Sequence, residues 1–386
     1  MHEGTGVTTV RFAPPDVGEA EVAAVTEVLR SGWLTTGPRA AEFERRFAAY
    51  VQAPHAVALN SCTAALHLSL VASNVGPGDH VVTTPLTFCA TANVIVHCGA
   101  TPVFADVEAD TGNLDAGAAA AAVCSATRAV VPVHYAGRPV DLDAFEALAR
   151  RQGAVLIEDA AHCVEGVSGG RKVGAVADFT CFSFYATKNL TTAEGGMVAV
   201  RRPEAADLVR RLSRHGLAAD AWTRDAGGGR APYDVTFPGF KCNMTDLQAA
   251  IGLCQLARIR TMHARRQAIW DRYDAGLADL PLGRPAAVPA GTVHARHLFT
   301  VRVNPSACGV TRDDLQQRLR DRGVSTSVHF PAVHLHSYYR ERYGFRRGMF
   351  PNAEAIADET LSLPLSSALP DGHVDSVIEA LHHALA

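Results

Sequence analysis

Short apolar runs, each ending in polar residues and each followed by a helix-like segment, recur through the first half of the chain and limit what it can fold into. The runs cover residues 55–60, 81–87, 102–107, 128–133 and 155–159, and a further pair frames residues 182–198. Helical patterns separate them. Ser61 is placed to cap a helix reaching about Ala72, Cys89 begins another, Ala116 to Ala122 is an alanine run, and 140–151 sets Leu142, Phe145 and Leu148 on one face, with Asp141 and Asp143 at its start. Strands alternating with helices imply βαβ units and a mostly parallel sheet. Ligands of such sheets bind outside the carboxyl ends of the strands. Thr63, Phe88, Asp159 and Lys188 all stand just beyond apolar runs, which points to one shared site.

Around this unit the reading is simpler. Residues 1–10 read as a loose tail. Residues 16–29 read as a helix with Asp16 as N-cap, closed by Ser31-Gly32; Thr35-Thr36-Gly37-Pro38 is a turn before a helix over 40–50. A helix over 203–215 precedes a long glycine-containing loop over 216–237, whose Gly227-Gly228-Gly229 follows no strand and reads as a loop tip. A helix over 245–259, with a continuation past Arg265 to Leu277, leads to the proline-rich 280–289. Strand 297–303, helix 312–322, strand 325–329 and helix 371–385 then form a small α+β unit. The expected division is a large α/β domain over 1–250 and a small C-terminal domain over 251–386.

Lysine is scarce: the chain has only Lys172, Lys188 and Lys241. Lys188 follows the aromatic run Phe182-Ser183-Phe184-Tyr185, where partial desolvation would lower its pKa and free the amine as nucleophile or base. On spacing alone it reads equally well as a plain loop lysine. The strand ending Glu158-Asp159-Ala160-Ala161-His162 tips that balance, because a pyridoxal phosphate enzyme needs a Schiff-base lysine and a carboxylate facing the ring nitrogen.

Glu158-Asp159-Ala160-Ala161-His162, Phe182-Ser183-Phe184-Tyr185-Ala186-Thr187-Lys188-Asn189 and Glu194-Gly195-Gly196 together resemble the signature of the nucleotide-sugar aminotransferases of the DegT/DnrJ/EryC/StrS type. These enzymes serve antibiotic and lipopolysaccharide amino-sugar pathways. The resemblance runs from Arg11-Phe12 to the last helix. Ser31-Gly32-Trp33-Leu34-Thr35-Thr36-Gly37-Pro38, Pro132-Val133-His134-Tyr135-Ala136-Gly137 and Gly239-Phe240-Lys241-Cys242-Asn243-Met244-Thr245-Asp246 are most similar to the members that aminate the 4-keto pentose destined for 4-amino-4-deoxy-arabinose.

The resemblance implies the aspartate-aminotransferase architecture (fold type I), with pyridoxal 5'-phosphate as cofactor. It implies glutamate as amino donor, giving 2-oxoglutarate, and a nucleotide-diphosphate keto-sugar as acceptor, aminated at C4. It also implies a homodimer with composite active sites. Lys188 would hold the cofactor and shuttle the proton, and Asp159 would face the ring nitrogen. Cys62, Thr63 and Ala64 would offer backbone N–H groups to the phosphate, joined by the Thr63 and Ser183 hydroxyls. Phe88 would stack on the ring and His162 would meet its hydroxyl region. Lys241 or Asn243 would reach the partner's phosphate; Trp33, Thr36, Tyr185, His329 and Tyr338 would contact the sugar. Lys241 stands where many members have asparagine, Ala193 where glycine is common, and Tyr185 where many have histidine.

Other classes lack their marks. Net charge is −3 with no basic run, so no nucleic-acid partner is expected. Nine cysteines without a Cys-x-x-Cys pair read as reduced thiols of a cytoplasmic protein. Residues 1–9 show no export signal, and no apolar stretch approaches the roughly 20 residues of a membrane span. His334 with His336, and His382 with His383, have no metal-ligand spacing, so no metal is expected. A nicotinamide-dependent sugar dehydrogenase or epimerase would carry a Gly-x-Gly-x-x-Gly after the first strand, which is missing. Sugar dehydratases of the same family have histidine where Lys188 stands.

Overall fold

The structure is a computed structural model that describes residues 9–217 and 234–386. Helices α1 (Glu19–Ser31) and α2 (Pro38–Val51) precede β1 (His55–Leu59). Then α3 (Cys62–Ala72), β2 (His80–Thr83), α4 (Cys89–His97), β3 (Thr101–Phe104), α5 (Ala116–Ala122), β4 (Thr127–Val131), α6 (Leu142–Gln152) and β5 (Val155–Asp159) alternate. A small hairpin of β6 (Val167–Ser168) and β7 (Arg171–Lys172) leads to β8 (Phe179–Ser183), β9 (Gly196–Val200), α7 (Pro203–Leu212) and the long α8 (Asp246–Gly276). The rest is β10 (Phe299–Arg302), α9 (Pro305–Cys308), α10 (Arg312–Asp321), α11 (Ser337–Tyr343), α12 (Pro351–Glu359), β11 (Thr360–Leu363) and α13 (Asp371–Leu385).

Seven strands form the central sheet in the order β1-β9-β8-β5-β4-β2-β3. Only β9 runs against its neighbours; the other pairs are parallel. Both faces are covered, which is why the strands read as continuous apolar runs. On one face Leu66, Leu68 and Leu70 of α3, Val94 and Ile95 of α4 and Val209 of α7 pack on Ile157, Phe179 and Val198. On the other, Phe43 and Phe47 of α2 meet Phe182 and Phe184, while Phe145 and Leu148 of α6 meet Val82, Val130 and Leu156. A second core gathers Phe299, Val301, Leu361 and Leu363 of the antiparallel β10–β11 pair with Leu315, Leu319, Val377 and Leu381.

Several expected elements differ. The run 81–87 is a strand only through Thr83, because Pro85 has no N–H for a ladder. Asp16 does not cap α1. That helix begins at Glu19, where Glu21 accepts the Gly18 N–H at 2.9 Å, and Asp16 instead pairs with Arg258 at 2.7 Å. No strand forms over 325–329: Val324 just before it bridges to Val10 and Ser327 to Ser362, isolated bridges on different partners. Residues 246–276 are one helix of 31 residues, unbroken by proline, and it runs through position 250, where the expected domain boundary falls. Its first half packs with Phe43 and Phe47, and its second half, through Ile269, Trp270 and Tyr273, belongs to the second core. Val10 is buried in that second core, so at least the end of the expected loose tail is packed. The triple glycine 227–229 lies outside the described residues.

Two of the quoted motifs meet in one contact. The N-cap of α2 is Gly37, which has no side chain. Asp246 replaces the missing cap: its carboxylate accepts N–H groups of Gly37 at 2.8 Å, Ala40 at 3.0 Å and Arg39 at 3.1 Å. Thr36 accepts from Asn243 Nδ2 at 2.7 Å and donates to Met244 O at 2.5 Å.

Candidate active site

The carboxyl ends of β1, β5 and β8 open into one cavity of about 490 Å³. Cys62, Thr63, Phe88, Asp159, His162, Ser183, Tyr185, Lys188 and His329 line it, so nine of the expected site residues come together. Phe12, Thr91, Glu194, His297 and Phe330 line it as well.

Asp159 ends β5 and is 5% exposed. Thr91 Oγ1 donates to its Oδ2 at 2.8 Å and the Ala161 N–H to its Oδ1 at 3.1 Å. Burial raises its pKa, and these two bonds with the Lys188 charge offset only part of the rise. A carboxylate in that position is stabilised by a cation set against it. Behind Asp159, the fully buried His134 accepts from the Val140 N–H at Nδ1, so its Nε2 donates to Glu158 at 2.9 Å, which keeps that second carboxylate occupied.

Lys188 sits in the turn after β8, its N–H bonded to Tyr185 O at 2.9 Å. Desolvation pushes its amine down to about 8, against the opposing pull of Cys62 and Asp159. The turn closes through Ala193 at φ 69°, a left-handed conformation that explains why glycine suits this place. His162 is held well below the ordinary histidine value by burial and by Lys188, and its Nδ1 is buried without a partner. Its ring lies 5.8 Å from Phe330, near parallel at 22°. Burial with Lys188 likewise lowers His329 to about 4; its Nδ1 is 2.8 Å from Ser362 Oγ and its ring stacks on Phe12 at 5.5 Å.

The N-terminus of α3 forms the end of the cavity suited to an anion. Ser61 Oγ accepts the Ala64 N–H at 3.1 Å, so this amide is spent on the cap and Ala64 does not line the cavity. The N–H groups of Cys62 and Thr63 remain, with the helix dipole behind them. Gly196 lets β9 pass close under this turn: a Cβ there would sit 2.6 Å from Cys62 N and collide with the Ser61 backbone. Gly196→Ala is therefore expected to cost about 1–3 kcal/mol of stability and to loosen cofactor binding. Thermal melts and cofactor titration check this, and a variant equal to the parent in both would show the approach to be dispensable.

The remaining expected residues lie outside this chain's cavity. Trp33 Nε1 donates to Thr36 O at 3.1 Å. Thr36 and Asn243 bond to each other, as described above. Lys241 is exposed, and Tyr338, 50% exposed, packs edge-on against Tyr339. His297 was missed, because it stands at the start of an apolar run and reads as the first residue of a strand. Phe12 was legible only as an end of the family resemblance. No group of three or more His, Cys, Asp or Glu that could hold a metal exists among the described residues.

A lysine of lowered pKa, a buried strand-end carboxylate, an orphaned ring nitrogen and a helix N-terminus around one cavity are the donor set of a phosphate-bearing pyridine aldehyde. Together with the sheet, they define the class of fold type I pyridoxal phosphate enzymes. A profile of the DegT/DnrJ/EryC1/StrS aminotransferase family matches residues 15–382, and the chain belongs to that family. It is a sugar aminotransferase that uses pyridoxal phosphate. The chain is 48% identical over 372 residues to the spore coat polysaccharide biosynthesis protein SpsC of Bacillus subtilis, covering 96% of this chain and 95% of SpsC. The structure of the PLP form of Spr1654 from Streptococcus pneumoniae superposes with a TM-score of 0.90 at 36% identity, covering 98% of this chain and 100% of that one. PseC of Helicobacter pylori, an aminotransferase involved in pseudoaminic acid biosynthesis, superposes at 0.91 with 26% identity, covering 98% and 99%.

Proposed function

We propose that this enzyme moves the amino group of glutamate onto C4 of a nucleotide-diphosphate keto-sugar, in active sites shared by the two chains of a homodimer. The observation that carries this reading is the meeting of Lys188 and Asp159 in one roomy cavity at the strand ends, beside a helix N-terminus. When bound, pyridoxal phosphate supplies an aldehyde that carries nitrogen between substrates and a ring that accepts electrons. Lys188 Nζ would hold the resting cofactor and, once released, would serve as the base that moves the substrate proton. Asp159 would keep a proton on the ring nitrogen. Thr63, Ser183 and the Cys62 and Thr63 N–H groups would hold the phosphate. Phe88 would support the ring, and His162, whose Nδ1 is buried without a partner, would meet its hydroxyl side.

C4 rests on the resemblance of three motifs to those of the 4-amino-4-deoxy-arabinose enzymes. The polysaccharide role in the name of SpsC and the sugar acid in that of PseC agree with a sugar acceptor. Nine cysteines without a disulfide fit a cytoplasmic setting, and no described helix is long and apolar enough to cross a membrane. Amination of a panel of keto-sugar nucleotides, with products identified by mass and NMR, tests the acceptor and its position. Failure with every 4-keto sugar and success with a 3-keto one would move the site of amination.

The shared site has its own support. Among the described residues, Lys188 is the only lysine or arginine lining the cavity. The ligands in this reading bring a cofactor phosphate, a diphosphate and two carboxylates. A symmetric dimer would let the partner's Lys241 or Asn243 reach in, and Lys241 is exposed and does not line its own chain's cavity. Mixing inactive Lys188→Ala with an inactive, folded Lys241→Ala/Asn243→Ala variant is expected to restore activity in heterodimers, where one of two sites carries neither lesion. Confirmed chain exchange without activity would show each site to be contained in one chain.

A further inference from the structure

A buried polar chain runs from α8 to the cavity wall beside Lys188. Glu165 and Arg266, each with a side chain about 3% exposed, form an ion pair inside the protein. The other Glu165 oxygen, Oε2, accepts from Asn189 Nδ2 at 2.9 Å, and the same Nδ2 donates to Ala295 O at 2.7 Å. A carboxylate and a carbonyl only accept, so the nitrogen of the amide faces them and Asn189 Oδ1 faces the other way. There it meets His297 Nδ1 at 3.0 Å. A bond to that oxygen requires hydrogen on Nδ1, and the second ring nitrogen, Nε2, then carries the lone pair. Burial and the nearby Lys188 amine oppose a second proton, and Glu165, the acid of this chain, is already matched by Arg266. The His297 ring lies in the cavity wall, 4.3 Å from the ring of His162.

We propose that His297 Nε2 accepts a hydrogen bond from a hydroxyl of the sugar substrate, and that Asn189, Glu165 and Arg266 are positioning residues which hold the ring in that tautomer. The ligand class rests on the sugar-acceptor reading above. An acceptor nitrogen complements a hydroxyl and gains nothing from a carboxylate, which carries no hydrogen to share. The same cavity receives both substrates in turn, so this contact favours the sugar over the amino donor. Sites that hydrogen-bond a substrate hydroxyl discriminate strongly against ligands without one.

Two measurements test this. In 15N-histidine-labelled protein without cofactor, long-range 15N–1H spectra report which His297 nitrogen bears hydrogen. The expected result is Nδ1–H in the parent and a shift toward Nε2–H in Asn189→Ala. The two half-reactions are then followed separately. His297→Phe is expected to raise the half-saturating keto-sugar nucleotide concentration about tenfold or more beyond any change for glutamate. Asn189→Ala should shift the same ratio with His297 still in place, and His297→Asn, which retains an acceptor oxygen, should recover part of it. An Nε2–H tautomer in the parent overturns the proposal, as does an equal loss in both half-reactions. If His297→Phe does not fold, the parent spectrum and the Asn189→Ala ratio decide. A parent that aminates no keto-sugar nucleotide overturns the acceptor reading and the ligand with it, an outcome distinct from normal amination without the split.

Discussion

Lys188→Ala is expected to end amino transfer. Losing the positioned base alone should slow the reaction on the order of 10²- to 10⁴-fold, and losing the point of cofactor attachment adds to that. No other lysine substitutes: neither Lys172 nor Lys241 lines its own chain's cavity, and in the shared-site reading the partner's Lys241 meets the phosphate, not the aldehyde. Lys172 is held over the Tyr50 ring at 4.4 Å and donates to Glu165 O at 3.2 Å. Borohydride treatment of the holoenzyme followed by peptide mapping should place the cofactor on the Lys188 peptide, and its recovery on Lys172 or Lys241 would move the role. The lowered pKa adds a pH signature. Only the unprotonated amine attacks an aldehyde, so capture of pyridoxal phosphate by cofactor-free protein should accelerate about tenfold per pH unit up to about 8 and level off above it. Stopped-flow absorbance reads that midpoint; a midpoint near the ordinary lysine value of 10.5 would contradict the desolvated setting.

Asp159→Asn should slow both half-reactions on the order of 100-fold or more. Asparagine matches aspartate in shape, and its side-chain oxygen can still accept a bond from Thr91 or Ala161. The loss is then mainly one of charge. Desolvation already disfavours the Asp159 anion, so a cation placed against it gains the full value of the pair at low local dielectric. A protonated ring nitrogen of the bound cofactor would be that cation, and its charge would matter more in the transition state than at rest. Single-turnover rates with glutamate and with the keto-sugar measure the effect, with cofactor retention checked alongside. Turnover near the parent value would pass the ring-nitrogen role to another group.

How far the sequence alone reached follows from the range of the interactions involved. Strand ends, the Ser61 and Thr245 caps and the helix faces are written within about ten residues, because periodicity and capping are local physics. Placing Thr63, Phe88, Asp159 and Lys188 at one edge needed only the rule for parallel sheets. Lys188 and Asp159 took their expected roles from the family signature, and the fold then set both in one cavity. The long connections were not legible. Asn189 meets His297 across 108 positions, Arg266 meets Glu165 across 101, and Asp246 caps α2 across 209. Such contacts depend on which loops close and how cores pack, and no local pattern encodes them. His297 therefore read as the head of a strand, and Asp246 only as the second residue of the helix over 245–259. Which His297 nitrogen is bonded to Asn189, which amides stay free at α3 and how far each carboxylate is desolvated were decided by tertiary packing, because each depends on neighbours brought in from distant parts of the chain.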